Sequence, residues 1–372
     1  MTANGSVYEG CKMEVNGFQF VGWGTSLNYE GDIPRGAEHF EKCIREMGEA
    51  GLNYLSILMY SDQYHGEAAG YAWPVQDPEL SEVVDKDCPN ANPETEFLPE
   101  LVAEAHRKGI RVDLAMGTPQ GRLLLPKHPE WTMMDFWGNE YPLPTPASAA
   151  FQDANCRLIR DLLGRYGRAE LGEKAVDGFY NEGPTYGPMS HYSASDRQQF
   201  ERMFGKPLAE ATIAEMRAFK LKVVSEFLQA LFATVKEVNP NLARGQHCWE
   251  TSFTTDRGHD VREYVKAGVQ YAVPGHHSFR EEELCASLDY YCPYLPSIIH
   301  FNARRRPPKN YPVPPVHPED VFTMAEWAKR YKAEGKYGHN LVGVLFFNEA
   351  HCPPDNRKAV FEALAQLREG KS

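Results

Sequence analysis

Lys174 to Pro188, KAVDGFYNEGPTYGP, is the stretch on which the reading of the whole chain turns. Ala175 to Tyr180 has the length and apolarity of a short buried strand, and it stops at a polar pair, Asn181-Glu182. Gly183 and Pro184 then break any regular structure. A carboxylate at the mouth of an apolar strand is costly to place unless it is paired or at work. In barrels of parallel strands the chemistry sits at the C-terminal strand ends. Tyr180 and Glu182 share strand parity, so both are expected to face one side, the barrel axis.

Outward from that strand the pattern repeats. Towards the N-terminus lie strand candidates Phe18 to Trp23, Tyr54 to Tyr60 and Ile110 to Met116. Helices are predicted over Ala37 to Ala50, Thr95 to Lys108 and Ala154 to Tyr166, the first two stopped by Gly51 and Gly109. Towards the C-terminus come helices near Ser195 to Phe204 and over Thr212 to Val238, then a strand over Leu242 to Trp249. Helix Asp260 to Ala267, strand Val269 to Val273, helix Glu281 to Leu288 and strand Leu295 to Phe301 follow. Helix Pro318 to Glu334, strand Leu341 to Phe347 and helix Arg357 to Arg368 complete the series. Strand and helix alternate about eight times, the count of a (β/α)₈ TIM barrel. The strands are apolar throughout, as strands covered on both faces must be. A doubly wound open sheet is the alternative, but Gly22-Trp23-Gly24 opens no glycine-rich phosphate loop. With no composition shift or internal repeat, residues 1–372 read as a single barrel domain with long loops at the C-terminal face.

Composition narrows the function. A formal net charge of -12 argues against nucleic acid or an anionic membrane as partner. No apolar run approaches a membrane span, and no signal peptide is visible at the N-terminus. The eight cysteines are scattered without CxxC pairs and read as reduced thiols, so a cytoplasmic location is expected.

The strand ends supply a ring of candidates: Trp23, Tyr60, Tyr180, Asn181, Glu182, Trp249, Glu250, His276, His300 and Glu349. Aromatic faces stack on the C–H side of sugar rings, while carboxylates, amides and imidazoles take the hydroxyls. Further aromatics lie in the loops, among them Trp73, Trp131, Phe136, Trp137, Tyr186 and Tyr192. The expected ligand is therefore a carbohydrate. Breaking a glycosidic bond needs two carboxyl groups flanking the scissile atom, and Glu182 with Glu250 is the favoured pair. Glu349 is assigned to binding, with Trp23, Tyr60, Tyr180, Asn181, Trp249, His276 and His300. Mid-strand Asp113 reads as a paired core carboxylate.

The histidines raise a metal as an alternative: His247, His276-His277 and His300 with a glutamate. Neighbouring residues on an extended segment point to opposite sides, so only one of His276 and His277 reaches a given site. The spacing matches no zinc pattern, and neither metal nor cofactor is expected. A metal-dependent isomerase, epimerase or lyase, and a non-catalytic sugar-binding barrel, stand as the rival readings.

Taken in order, HRKGIRVDLAMGT, KHPEWTMMDFWGNE, VDGFYNEGP, RQQFERMFGKPL and VKEVNP resemble the barrel proteins called hypothetical glycosyl hydrolase 6. These are grouped with β-galactosidase-like and α-L-fucosidase-like barrels. The likeness covers roughly Gly36 to Pro240 and implies a TIM barrel with glycoside hydrolase chemistry. The strand ending at Glu182 is similar to that of family 29 α-L-fucosidases, whose nucleophile is an Asp following Trp-Asn. The Asn181-Glu182 pair equally resembles the large β-glycosidase clan, where the matching Glu is the acid/base. The resemblance thus leaves Glu182 as nucleophile or acid/base, in a mechanism that is expected to retain configuration.

Overall fold

The computed structural model describes residues 12–21, 37–59, 73–81, 97–117, 124–187, 191–248, 255–276, 278–303, 315–347 and 352–369. Eight parallel strands close into a barrel, each neighbouring the next in chain order: β1 (Val15–Val21), β2 (Tyr54–Leu58), β3 (Arg111–Gly117), β6 (Gly178–Glu182), β7 (Ala243–Cys248), β8 (Tyr271–His276), β9 (Ser297–Asn302) and β10 (Leu341–Phe347). Pairing of β1 with β10 closes the ring and excludes the open sheet. A separate antiparallel ribbon, β4 (Thr132–Met134) and β5 (Glu140–Pro144), lies in the connection after β3.

Helices α1 (Ala37–Glu49) and α2 (Leu98–Arg107) follow β1 and β2. Helix α3 (Ala149–Tyr166) follows the ribbon; α4 (Ala194–Phe204) and α5 (Ile213–Val238) lie between β6 and β7. Helices α6 (Val261–Lys266), α7 (Glu281–Tyr291), α8 (Pro318–Glu334) and α9 (Pro354–Glu369) complete the outer layer. Local signals set their limits. Ser148 Oγ caps α3 by accepting from Phe151 N, and Thr212 with Glu215 forms a reciprocal capping box on α5. Gly109 ends α2 with φ of +72°, a backbone state that costs other residues more.

The core has two compartments because strand side chains alternate. Leu55 and Ile57 of β2 face outwards into the large layer between strands and helices, while Tyr54 and Leu58 face inwards. The interior cluster is small: Tyr54, Leu58, Ala115, Tyr180, Tyr271, Val273, Ile298 and Leu345. Both faces of each strand are thus covered, which is why the strands read as apolar runs.

Several strands differ from expectation in their limits, β1 for instance running over Val15–Val21 rather than from Phe18, and two of these differences bear on the site. The strand expected over Ala175 to Tyr180 is β6, Gly178–Glu182, so Asn181 and Glu182 belong to it. The one expected over Val269 to Val273 is β8, which runs on through Pro274 and Gly275 to His276. Inter-strand pairing overrides local composition here: Gly117 pairs with Glu182, and Gly275 with His300. Residues assigned to loops from composition therefore obey strand alternation, with consequences for the site.

Candidate active site at the barrel mouth

The lower half of the interior is closed by a polar network around Asp113. Its carboxylate is fully buried and accepts from Arg111 Nε (2.9 Å) and from a terminal Arg111 nitrogen (2.6 Å). It also accepts from the hydroxyls of Tyr54 (3.1 Å) and Tyr271 (2.6 Å). Glycines on the facing strands make room for these groups. A Cβ on Gly178 would lie 2.6 Å from Asp113 Oδ1, and one on Gly245 2.3 Å from the Tyr271 ring. Burial, followed by the Asp113 charge, holds both phenols well above the ordinary tyrosine value. Burial would lower the guanidinium of Arg111, but the Asp113 charge outweighs it and keeps that group above its ordinary range. This is the paired core carboxylate that its mid-strand position suggests.

The upper half is different. Tyr180 and Glu182 of β6 point inwards, with Glu182 partly exposed at the mouth. Gln19, reaching in from β1, donates through Nε2 to Glu182 Oε1 (3.0 Å) and to the Tyr180 hydroxyl. Ser56 Oγ of β2 donates to the same hydroxyl from 2.9 Å. Gln19, Ser56 and Tyr180 are all fully buried beneath the mouth. Burial, and next the charge of Glu182, holds the Tyr180 phenol well above its ordinary value, so it remains protonated.

His247, His300, Asn302 and Phe347 occupy inward positions on β7, β9 and β10. The rings of His247 and His300 meet edge to face at 5.5 Å, and His300 packs against Phe347 at 5.4 Å. Phe347 pairs in register with both Asn302 and Gln19, which makes these residues neighbours on adjoining strands. Burial lowers His247 to about 4, so its imidazole is neutral near pH 7. The mouth thus offers a carboxylate, two imidazoles of which that of His247 is neutral, amides and an aromatic face. Such a set binds hydroxyl groups and supports proton transfer.

Strand parity sorts the residues anticipated from sequence. Glu182, Tyr180 and His300 face the interior. Asn181 faces the other way: it is fully buried and donates to Gly183 O and, over 3.3 Å, to Gln246 Oε1. Gln246 Nε2 donates to Gly183 O as well (3.1 Å), so the two amides hold the turn that follows Glu182. His276 also turns to the helical layer, edge-on to Phe301 at 5.8 Å and to Trp327 of α8 at 6.3 Å. Asn181 lies between inward-facing Tyr180 and Glu182 and so takes the opposite parity, and the continuation of β8 to His276 puts that residue on the outward parity too. Trp23, Tyr60, Trp249, Glu250 and Glu349 lie outside the described residues, as does His277.

The loop aromatics divide too. Trp73 is fully buried and its Nε1 donates to Asp161 Oδ2 (2.7 Å), an anchoring role; Trp131 and Tyr186 are buried as well. Phe136 and Trp137, at the tip of the ribbon, are 56% and 71% exposed. Sequence reading missed Gln19 and Ser56. A signal existed: each is a polar residue at inward parity, flanked by apolar neighbours, Phe18 and Phe20 or Leu55 and Ile57. Among the described residues no group of three or more His, Cys, Asp or Glu is arranged to hold a metal ion. No described helix is long and apolar enough to cross a membrane.

No protein-family model matches the chain, and no curated protein is significantly similar to it. Solved structures are. The α-L-fucosidase isoenzyme 2 of Paenibacillus thiaminolyticus matches with a TM-score of 0.64 at 11% identity, over 95% of this chain and 49% of that one. A β-galactosidase of the Antarctic haloarchaeon Halorubrum lacusprofundi matches at 0.64 and 12%, over 95% and 58%. A β-galactosidase of Bacillus circulans matches at 0.64 and 11%, over 96% and 56%. The chain therefore spans about half the length of these neighbours. At such identities the likeness is one of fold: a closed eight-stranded parallel barrel of the kind found in glycoside hydrolases.

Proposed function

We propose that the barrel is a glycoside hydrolase acting on a carbohydrate through two carboxyl groups, with retention of configuration. The observation that carries this reading is the Glu182 carboxylate at the C-terminal mouth, hydrogen-bonded by Gln19 in an interior that also holds His247, His300 and Asn302. The similarity in fold to glycoside hydrolase barrels supports it.

In such a mechanism one carboxylate attacks the anomeric carbon as the bond to the departing oxygen breaks. That oxygen keeps the bonding electron pair and takes a proton from the second carboxyl group. Water, giving a proton back to the second group, then displaces the first, and the anomeric configuration is restored. Glu182 is one of the two groups and Glu250 is the proposed partner. His300 and Asn302 bind sugar hydroxyls, and Phe347 supports His300. Asn181 shapes the turn behind Glu182, and Tyr180 supports Glu182 from below.

The test is hydrolysis of a panel of aryl glycosides, starting with β-galactosides and α-L-fucosides. Turnover that is abolished in Glu182→Gln and restored by azide, with an azido sugar as product, supports the reading. Turnover that survives Glu182→Gln, or that a chelator removes, overturns it.

A further inference from the structure

Resting on the reading of Glu182 as a catalytic carboxyl, we infer that Gln19 is a positioning residue that holds Glu182 in its ionised form, so that Glu182 serves as the nucleophile and its partner as the proton donor. The argument begins with what an amide nitrogen is able to do. It carries hydrogens and accepts nothing. Gln19 Nε2 is directed at Glu182 Oε1 (3.0 Å) and at the Tyr180 hydroxyl. A hydrogen bond donated to a carboxylate stabilises its charged form. A proton on that oxygen would place two donors head to head.

The amide is oriented from below as well as by Glu182. Ser56 Oγ donates to the Tyr180 hydroxyl, and that hydroxyl accepts from Gln19 in turn. Meanwhile Gln19 Oε1, on a fully buried side chain, has no hydrogen-bond partner among the described residues. An orphaned buried acceptor is destabilising, so the orientation is not one that stability alone selects. Turning the amide over would oppose Oε1 to the carboxylate oxygen, acceptor against acceptor. Amide orientation and carboxylate charge therefore go together.

Of the other titratable groups of the described interior, Asp113, Arg111, the three phenols and His247 do not supply this effect. Asp113 and Arg111 form a pair of opposite charges lower down, and Tyr54, Tyr180 and Tyr271 are uncharged phenols. His247 is neutral near pH 7, and the imidazole of His300 lies beside it. β1, Val15–Val21, and β10, Leu341–Phe347, contain no titratable residue.

The test reads the carboxyl itself. Protein labelled with ¹³C at the glutamate carboxyl carbon is titrated by NMR, and the Glu182 resonance is assigned by its loss in Glu182→Gln. In Gln19→Met, whose side chain is similar in size, the Glu182 midpoint is expected to rise by about one pH unit, a tenfold change in protonation. If that variant does not fold, Gln19→Asn, which withdraws the amide by one methylene, is read in the same way. An unchanged midpoint in the folded variant, or a wild-type Glu182 still protonated at pH 7, overturns the inference. A shifted midpoint without cleavage of any glycoside leaves Gln19 as the residue that keeps Glu182 ionised and removes the hydrolase reading. Cleavage with an unshifted midpoint does the reverse.

Discussion

The two halves of the barrel interior each hold a carboxylate on an inward-facing strand position, and they treat it differently. Asp113, in the lower half, is fully buried, faces a guanidinium and accepts from two phenols as well. Glu182, at the mouth, is partly exposed, and its amide donor Gln19 leaves an acceptor of its own without a partner among the described residues. Closing every hydrogen bond around a buried charge makes it a structural element. Keeping a charge ionised, reachable and not fully enclosed makes it a reagent. Activity and stability should therefore separate along the barrel axis.

The largest effect expected is on activity. Glu182→Gln should lower kcat by roughly 10³-fold or more on any glycoside that is cleaved. Its Tm should stay within a few degrees of wild type, as measured by calorimetry. A large drop in Tm would erase the contrast between the two halves. The converse variant, Asp113→Asn, should destabilise the fold by about 3 kcal/mol in denaturant unfolding. That is the low end for breaking a buried pair, because the Arg111 side chain is 36% exposed and partly solvated.

A pH series sharpens the comparison. Burial lowers His247 to about 4 from an ordinary 6.5, and His276 likewise to about 4. The unfolded chain binds these protons more readily than the folded one. Stability should thus be complete above about pH 6.5 and decline as the pH falls towards 4. Each residue should account for roughly 3 kcal/mol of that decline. His247→Gln should flatten the curve, and a thermal melt at each pH measures it. The smallest effect belongs to Gly245→Ala. Its methyl would meet the Tyr271 ring at 2.3 Å and disturb the Asp113 network, at a cost of about 2 kcal/mol. It should lower the unfolding midpoint, and because the same methyl would come within 2.7 Å of Tyr180 Cβ, a shift in the Glu182 titration would show how far the two halves are coupled.

Much of this was legible residue by residue. Ile110 to Met116 reads as a strand covered on both faces, and β3 runs from Arg111 to Gly117. Asp113 reads as a paired carboxylate because an unpaired one in such a strand is too costly. The inward aim of Glu182 follows from sharing parity with Tyr180. The outward aim of Asn181 follows from the same parity, although its side chain reads as a sugar ligand by composition. His276 was not legible in the same way, because its orientation depends on where β8 ends, and pairing with a neighbouring strand decides that. Composition places Pro274 and Gly275 in a loop, whereas the barrel wall keeps both in β8.

What the sequence by itself determined is the alternation of strands and helices, the closed-barrel reading and the presence of Glu182 on an inward position. Periodicity, caps and breakers act over a few residues, so a linear reading captures them. What only the tertiary structure decided is the company each side chain keeps. Gln19 meets a glutamate 163 positions away, and Tyr271 meets an aspartate 158 positions away. Closing the ring of strands brings these residues together across the interior. Which of them meet depends on register, and register depends on all eight strands at once.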